Sequence, residues 1–284
     1  KEIGVPYAWG VYRQVPVMDF LYAGMENTTS TIFSQDFVVD SIGFNDRTYI
    51  NVNAHELAHQ WFGNLVTATG SKHHWLHEGF ATYYQWLSER NLYGEKFFDW
   101  ERKKAADLVF MASLSDSLPL AHPKAGSSRF YQKGAWVLHM LEQKIGREAF
   151  RKGIKDYLEK YQYGIVTTDS LRLIMEKACG CSLNQFFNQW VHTAGEPWVS
   201  VKEISTKDAL RVRVQKDMPF TFPLHFVVVY KDQQRDTVSL NVLPAKDEYQ
   251  LKLSDQPKEV AYWMVTNGDE LLIHLKVRKD FDYW

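Results

Sequence analysis

The chain has 284 residues, of which 45% are hydrophobic and 24% are charged, so it can bury one large core or two ordinary ones. Its formal net charge of −1 argues against nucleic acid or an anionic membrane as the main partner, because both require clustered positive charge. No apolar run approaches the roughly 18 residues that a transmembrane helix needs, and the sequence predicts no particular compartment.

Helical periodicity dominates the chain up to about residue 195. Apolar residues recur there at spacings of three and four, which is typical of helices with one buried side. The predicted helices cover residues 50–62, 74–91, 137–145 and 168–179. Gly180 is well placed to end the last of them, and Ser182 opens a capping-box pattern that predicts a further helix start.

The period changes to two after Pro197. Apolar and polar residues then alternate in short runs that are separated by turn residues, as in strands with one buried face. The clearest alternating runs lie at 210–214, 238–242, 251–253 and 273–277, and a continuous apolar run of strand length lies at 226–230. About seven short strands in this length predict a β-sandwich. The sequence therefore predicts an α+β protein with two domains, residues 1–195 and residues 196–284.

Two cysteines, Cys179 and Cys181, are separated by one glycine. A disulfide between them would close a very tight ring, so two free thiols at a helix end are the favoured interpretation. A metal site at this pair would need two further ligands, and the neighbouring sequence offers no candidates.

The segment His55-Glu56-Leu57-Ala58-His59 has the spacing of a zinc site. On a helix, residues four apart lie only about 40° apart around the axis, so His55 and His59 can reach the same ion. Glu56 can then reach a water molecule beside the metal without being a ligand. A catalytic zinc needs a third protein ligand, and Glu78, on the next predicted helix, is the candidate.

The other histidines lack ligand spacing. His73, His74 and His77 lie close to Glu78 in sequence, but His77 is about 100° from Glu78 around the helix and should point away from the metal. These three are interpreted as surface residues or as residues behind the ligands. A structural role is expected for His122, His139, His192 and His225.

The spacing of the metal motif, H-E-x-x-H followed by eighteen residues and Glu, resembles that of the gluzincin metallopeptidases. Further motifs narrow the resemblance to the aminopeptidase N family, which also contains leukotriene hydrolase. They are Gly24-Met25-Glu26-Asn27, Tyr131-Gln132-Lys133-Gly134 and the stretch from Trp190 to Pro197. The four motifs occur in the family's order, and the resemblance extends from about residue 5 to about residue 200.

This resemblance implies a thermolysin-like zinc peptidase domain over residues 1–195, followed by the β-sandwich. It implies one Zn²⁺ per chain on His55, His59 and Glu78, and peptide substrates with a free N-terminus. The sequence departs from the family's pattern at Ala23, where a glycine is usual. Because the family carries further segments before the Gly24 motif, the chain looks like a fragment that lacks an N-terminal domain.

The resemblance also assigns roles within the site. Glu56 and Tyr131 are the expected catalytic residues, as general base and as donor to the oxyanion. Glu26 is expected to pair with the substrate's α-ammonium. The expected substrate-binding segment is Ala23, Gly24, Met25, Glu26 and Asn27. An exposed edge strand at this segment would also permit self-association.

Three alternatives to an aminopeptidase stay open on the sequence. A thermolysin-like endopeptidase would share the zinc site but should lack the Gly24-Met25-Glu26-Asn27 motif. A non-enzymatic binding or structural module would use the fold alone, although all the catalytic residue types are present. An epoxide hydrolase activity like that of leukotriene hydrolase is a minor third option.

Overall fold

The computed structural model describes residues 2–45, 48–205, 209–253 and 259–278. The chain divides into two compact units, Lys1–Gly195 and Glu196–Trp284. The first unit contains all the α-helices of the described residues, and the second is built from strands. No helix in this described part is both long enough and apolar enough to cross a membrane.

The first unit begins with a small three-stranded sheet of β1 (Arg13–Val17), β2 (Gly24–Met25) and β3 (Ser30–Ser34). β3 is central and pairs in parallel with β1 and antiparallel with β2. The two-residue strand β2 therefore lies at an edge, where its outer backbone groups face no strand of this sheet. This start of the unit is extended rather than helical.

Helices make up most of the remainder of this unit. In chain order the elements are α1 (Ile50–His59), β4 (Val66–Ala68), α2 (Trp75–Tyr93), α3 (Glu95–Ser113), α4 (Gly134–Ile145), α5 (Arg147–Tyr161), β5 (Gly164–Val166), α6 (Thr168–Cys179) and α7 (Asn184–Phe187). β4 and β5 pair in parallel. Helix α2 is the central one, since it packs against α1, α3 and α4 and buries residues on several sides, including Trp75, Phe80 and Trp86.

Two glycines allow α2 and α4 to approach closely. A Cβ atom built on Gly79 would lie 2.9 Å from the backbone of Gly134, and one on Gly134 would lie 2.9 Å from Gly79 Cα. Real Cβ atoms essentially never come that close to backbone atoms. Gly79 follows Glu78, and Gly134 follows a single π-helical turn, Arg129–Lys133, that carries Tyr131. The close approach therefore brings Glu78 and Tyr131 together.

The second unit contains two sheets. Its strands are β6 (Trp198–Glu203), β7 (Arg211–Lys216), β8 (Phe222–Tyr230), β9 (Arg235–Val242), β10 (Glu248–Gln250), β11 (Val260–Val265) and β12 (His274–Arg278). The sheet orders are β10-β7-β6-β12 and β11-β8-β9, and among the strands described in this unit only the β12–β6 pair is parallel. Buried residues alternate with exposed ones along β7, so each such strand has one inward face.

The prediction of two free thiols is wrong, because Cys179 and Cys181 form a disulfide. Gly180, at the end of α6, adopts a left-handed conformation with φ of 64°. That turn brings the two Cα atoms to 5.2 Å, which is within the range that disulfides span. The sequence prediction judged the ring too tight because it did not include this reversal of the backbone.

Several predicted boundaries also differ. α1 ends at His59 rather than near residue 62, and the strand predicted at 251–253 lies earlier, at Glu248–Gln250. The capping box expected at Ser182 does not form, because α7 begins at Asn184 with Leu183 as its N-cap. A capping box forms instead at Thr167, where it starts α6. The predicted bounds of α6, 168–179, are confirmed.

Candidate active site

Three side chains from α1 and α2 converge on one point. His55 Nε2 and His59 Nε2 each lie 3.1 Å from Glu78 Oε2, and the two imidazole nitrogens are 3.0 Å apart. Among the described residues these three offer ligand atoms that all lie within 4.8 Å of one another, and all three groups are almost completely enclosed. Two imidazoles and one carboxylate are the donor set of a catalytic zinc in several peptidases.

The fold fixes the orientation of the two imidazoles. His55 and His59 are one helical turn apart on α1, so their rings share a face of the helix. His59 Nδ1 lies 3.0 Å from the carbonyl oxygen of Phe62, in the turn that follows the helix. A ring that donates its Nδ1–H to a carbonyl presents the lone pair of Nε2 to a metal. The residues present therefore fit a zinc ion.

Burial and charge act strongly on the ionisation of these groups. Burial lowers the pKa of His55. Burial also disfavours protonation of His59, but the adjacent Glu78 carboxylate more than offsets it and raises the pKa of His59 to about 9. Glu78 is buried too, yet its hydrogen bonds to the imidazoles hold its pKa well below the usual range. Glu78 therefore stays ionised, and its two imidazole partners are either protonated or free to coordinate a metal.

Glu56 lies beside this cluster and is itself buried. Burial raises the pKa of its carboxyl to about 8, and its Oε2 atom has no hydrogen-bond partner among the described protein groups. Gly24 makes room for it, since a Cβ atom on Gly24 would lie 2.7 Å from Glu56 Cδ and 2.8 Å from Cγ. A side chain at position 24 would therefore force the Glu56 carboxylate to move.

Glu26 projects from the end of strand β2 toward the same point. The ligand atoms of Glu26, Glu56 and His59 lie within 4.8 Å of one another. Two amide side chains hold this segment, because Asn64 Nδ2 donates to the carbonyl oxygen of Glu26 at 2.7 Å and Gln60 Nε2 donates to it at 3.3 Å. The sequence analysis assigned no role to either residue, because their reach to Glu26 depends on the turn that follows α1.

Tyr131 forms the wall opposite to α1. Its ring stacks on the ring of His55 with centroids 5.6 Å apart and an interplanar angle of 13°. Burial and the nearby Glu78 carboxylate raise the pKa of Tyr131. The hydroxyl therefore carries a proton at neutral pH and lies next to the group formed by His55, His59 and Glu78.

The motif that contains Tyr131 is anchored on its other side. Lys133 is fully buried, and its Nζ atom donates to the carbonyl oxygen of Gly195 at 3.1 Å. This bond joins the Tyr131-Gln132-Lys133-Gly134 motif to the stretch that begins at Trp190. Two motifs that are distant in sequence are thus parts of one scaffold behind the site.

The other histidines lie outside the cluster of ligands. His77 Nε2 accepts a hydrogen bond from Ala68 N at 2.7 Å, and burial lowers its pKa to about 4. His73 Nδ1 lies 2.9 Å from Thr168 Oγ1. His74 faces Glu78, with Nε2 3.4 Å from Oε1. Three of the histidines expected to be structural have protein partners: His122 contacts the backbone N of Lys124, His139 contacts Arg102, and His225 contacts Ser239. The fourth, His192, is exposed.

These groups line an open cavity of about 570 Å³. Four of the five residues of the predicted substrate segment, Ala23 to Glu26, contribute to its wall, together with Tyr131 and residues of α3. The described lining includes the carboxyl groups of Glu26, Glu56, Glu78 and Glu101 and one lysine, Lys104, which pairs with Glu101. The oxygen atoms of Glu26 and Glu78 offer acceptors to a cationic group in this cavity.

The chain is similar to several known proteins. The family model described as the peptidase family M1 domain matches residues 1–190. Aminopeptidase 2, mitochondrial, of Saccharomyces cerevisiae is 34% identical over 222 residues, which are 72% of this chain and 23% of that protein. Aminopeptidase M1 of Arabidopsis thaliana is 31% identical over 215 residues, which are 71% of this chain and 24% of that protein. The chain spans about a quarter of the length of these relatives.

A similar fold occurs in a crystal structure of aminopeptidase A from Legionella pneumophila in complex with aspartic acid. The TM-score is 0.76 at 17% sequence identity, and the match covers 98% of this chain and 33% of that one. At this identity the likeness concerns the fold. The family match covers well over half of the chain, and the fold agrees with it, so the chain belongs to peptidase family M1.

Proposed function

We propose that this chain carries the catalytic site of a zinc-dependent aminopeptidase. The observation that carries the proposal is the convergence of His55, His59 and Glu78 at 3.0–3.1 Å, with Glu26 and Glu56 beside them. One Zn²⁺ per chain would be held by these three ligands. When bound, zinc supplies Lewis-acid chemistry that polarises a carbonyl group and makes water acidic.

Glu56 is the proposed general base. Its Oε2 atom is buried without a protein partner, and burial raises the pKa of the carboxyl toward neutrality, which suits a group that takes and returns a proton. It accepts a proton from the attacking water and later delivers it to the leaving amine. Gly24 keeps the space for this carboxylate open.

Tyr131 is the proposed donor to the oxyanion that forms on the scissile carbonyl. A protonated phenol with a fixed ring provides such a hydrogen bond without reorganisation during the reaction. The stack on His55 fixes the ring, and the raised pKa keeps the proton on the hydroxyl.

Glu26 is the proposed anchor for the substrate's α-ammonium. Glu26 lies close to Glu56 and His59. An amino group bound to Glu26 therefore places the first peptide bond beside the proposed zinc ligands. The edge of β2 offers backbone groups that can pair with an extended peptide. Ala23, Gly24, Met25 and Asn27 complete the proposed substrate-binding segment.

We also propose an assignment of the two domains. Residues 1–195 form a thermolysin-like catalytic domain, and residues 196–284 form a β-sandwich. The inward faces of the four-stranded and three-stranded sheets support the second assignment. The free edge of β2 further permits self-association of two chains, which would compete with substrate and should appear as concentration-dependent mass in light scattering.

The experiment that tests the function combines zinc quantification with hydrolysis of a panel of aminoacyl-anilides. We expect one zinc per chain and cleavage of free but not N-acetylated substrates, because acetylation removes the ammonium that Glu26 binds. Equal cleavage of acetylated peptides would instead indicate an endopeptidase. Zinc binding with no hydrolysis of any substrate would indicate a binding module, and opening of an epoxide substrate would favour the leukotriene-hydrolase-like alternative.

A further inference from the structure

The two oxygens of Glu78 face different partners. Oε2 lies 3.1 Å from the Nε2 atoms of His55 and His59, whereas Oε1 lies 3.4 Å from Nε2 of His74. His74 is one helical turn before Glu78 and is the N-cap residue of α2. One oxygen of the carboxylate thus faces His55 and His59, and the other faces the imidazole of His74.

His74 is held in this position by its neighbours. Its ring packs edge-to-face on Phe130 with centroids 5.0 Å apart, and on His77 at 5.4 Å. Phe130 belongs to the π-helical turn that carries Tyr131, and the contact of Gly79 with Gly134 fixes that turn against α2. The position of the imidazole therefore depends on the same packing that sets the site.

The neighbouring histidines do not share this orientation. Nε2 of His77 is taken by the backbone N–H of Ala68, and Nδ1 of His73 is taken by Thr168. Among the three histidines that lie between Ser71 and Glu78, His74 is the one whose ring nitrogen faces the carboxylate.

We propose that His74 is a positioning residue that holds Oε1 of Glu78, so that Oε2 alone is presented to the zinc ion. This inference rests on the proposed function, because it takes Glu78 as a metal ligand. Carboxylate ligands are usually hydrogen-bonded in turn, and loss of such a partner typically weakens metal affinity about 10- to 100-fold. His74 would slow the release of zinc without contacting the substrate's reacting atoms.

The test is a competition for zinc between the purified chain and a chromogenic chelator. His74→Leu keeps the bulk of the ring and removes its nitrogen, so its Kd for zinc should rise about 10- to 100-fold and its zinc should transfer faster. His74→Gln keeps a donor of similar reach and should stay within about threefold of the parent chain. The exposed His192→Leu is the matched control and should not change the Kd.

The melting temperatures of the metal-free variants show whether the fold is intact. If His74→Leu does not fold, His74→Asn, whose amide is too short to reach Oε1, should show the same loss of affinity. An unchanged Kd in a folded His74→Leu or His74→Asn would overturn the proposal for His74 alone. A parent chain that binds no zinc would overturn the proposed function as well, so the two failures are distinguishable.

Discussion

The proposed zinc ligands and the proposed substrate segment are held by different means. His55, His59 and Glu78 come from two packed helices, are buried and contact one another directly. Glu26 comes from the end of a two-residue edge strand, is half-buried and is fixed through its backbone by Gln60 and Asn64. The packing of two helices therefore sets the positions of His55, His59 and Glu78, whereas the position of Glu26 depends on hydrogen bonds to its carbonyl oxygen.

This difference predicts which changes affect chemistry and which affect binding. Substitutions beside the cluster should reduce kcat with zinc retained, because the ligands are independently supported. Substitutions that loosen the Glu26 segment should act on KM for a free N-terminus.

Glu56→Gln should keep zinc and abolish turnover. The substitution preserves the shape of the side chain against Gly24 but removes the base, and loss of a general base typically costs about 10²- to 10⁴-fold. The measurements are kcat and zinc content, with Glu148→Gln, an exposed residue of α5, as the control. A variant that retains more than about a tenth of the parent kcat would show that Glu56 is not the base.

Tyr131→Phe should lower kcat about 10²- to 10³-fold, the range seen when one oxyanion donor is removed, while KM changes little. The stack on His55 does not need the hydroxyl, so the ring should remain in place. Steady-state kinetics check this, with the exposed Tyr93→Phe as the control. An unchanged kcat with a raised KM would make Tyr131 a ground-state binding residue.

Asn64→Ala should raise KM for aminoacyl-anilides about tenfold and leave zinc affinity unchanged. The variant loses a 2.7 Å hydrogen bond to the Glu26 carbonyl, and one such bond contributes about 1 to 1.5 kcal/mol, which corresponds to about a tenfold change. Kinetics and chelator competition are the measurements, and exposed Asn91→Ala is the control. A fall in zinc affinity with KM unchanged would mean that the two ends of the site are not separately held.

The shared face of His55 and His59 on α1 could be predicted from the sequence, because helical periodicity alone sets it. The support of Glu26 could not, since it depends on where Gln60 and Asn64 lie after α1 has ended. The π-helical turn at Tyr131 also escaped prediction, because apolar periodicity does not distinguish it from a helix start. The contact of Gly79 with Gly134 is a tertiary property that neither local sequence encodes.

The smallest expected effect concerns Glu89, a buried residue of α2 away from the ligands. Burial raises its folded-state pKa to about 7 from a usual value near 4.5. Between these values the folded chain keeps a proton that the unfolded chain has lost, so stability should fall as pH rises from about 4.5 through about 7. The contribution should be about 1 kcal/mol, because solvent still reaches part of the carboxyl.

Glu89→Gln should remove this part of the pH dependence. Melting temperatures at about pH 5.5 and about pH 8 are the measurement, and the exposed Glu95→Gln is the control. We expect the parent chain to lose about 2–4 °C more than the Glu89→Gln variant over this interval. An identical loss in both chains would show that Glu89 is ionised in the fold.

X-ray absorption at the zinc edge shows whether two imidazoles and one carboxylate of this chain hold a zinc ion. The sample is the purified chain loaded with one equivalent of zinc. We expect two nitrogen ligands from imidazole and oxygen ligands at about 2.0–2.2 Å, with one imidazole lost in His59→Ala. A spectrum with sulfur ligands, or one unchanged by the loss of His59, would contradict this ligand assignment.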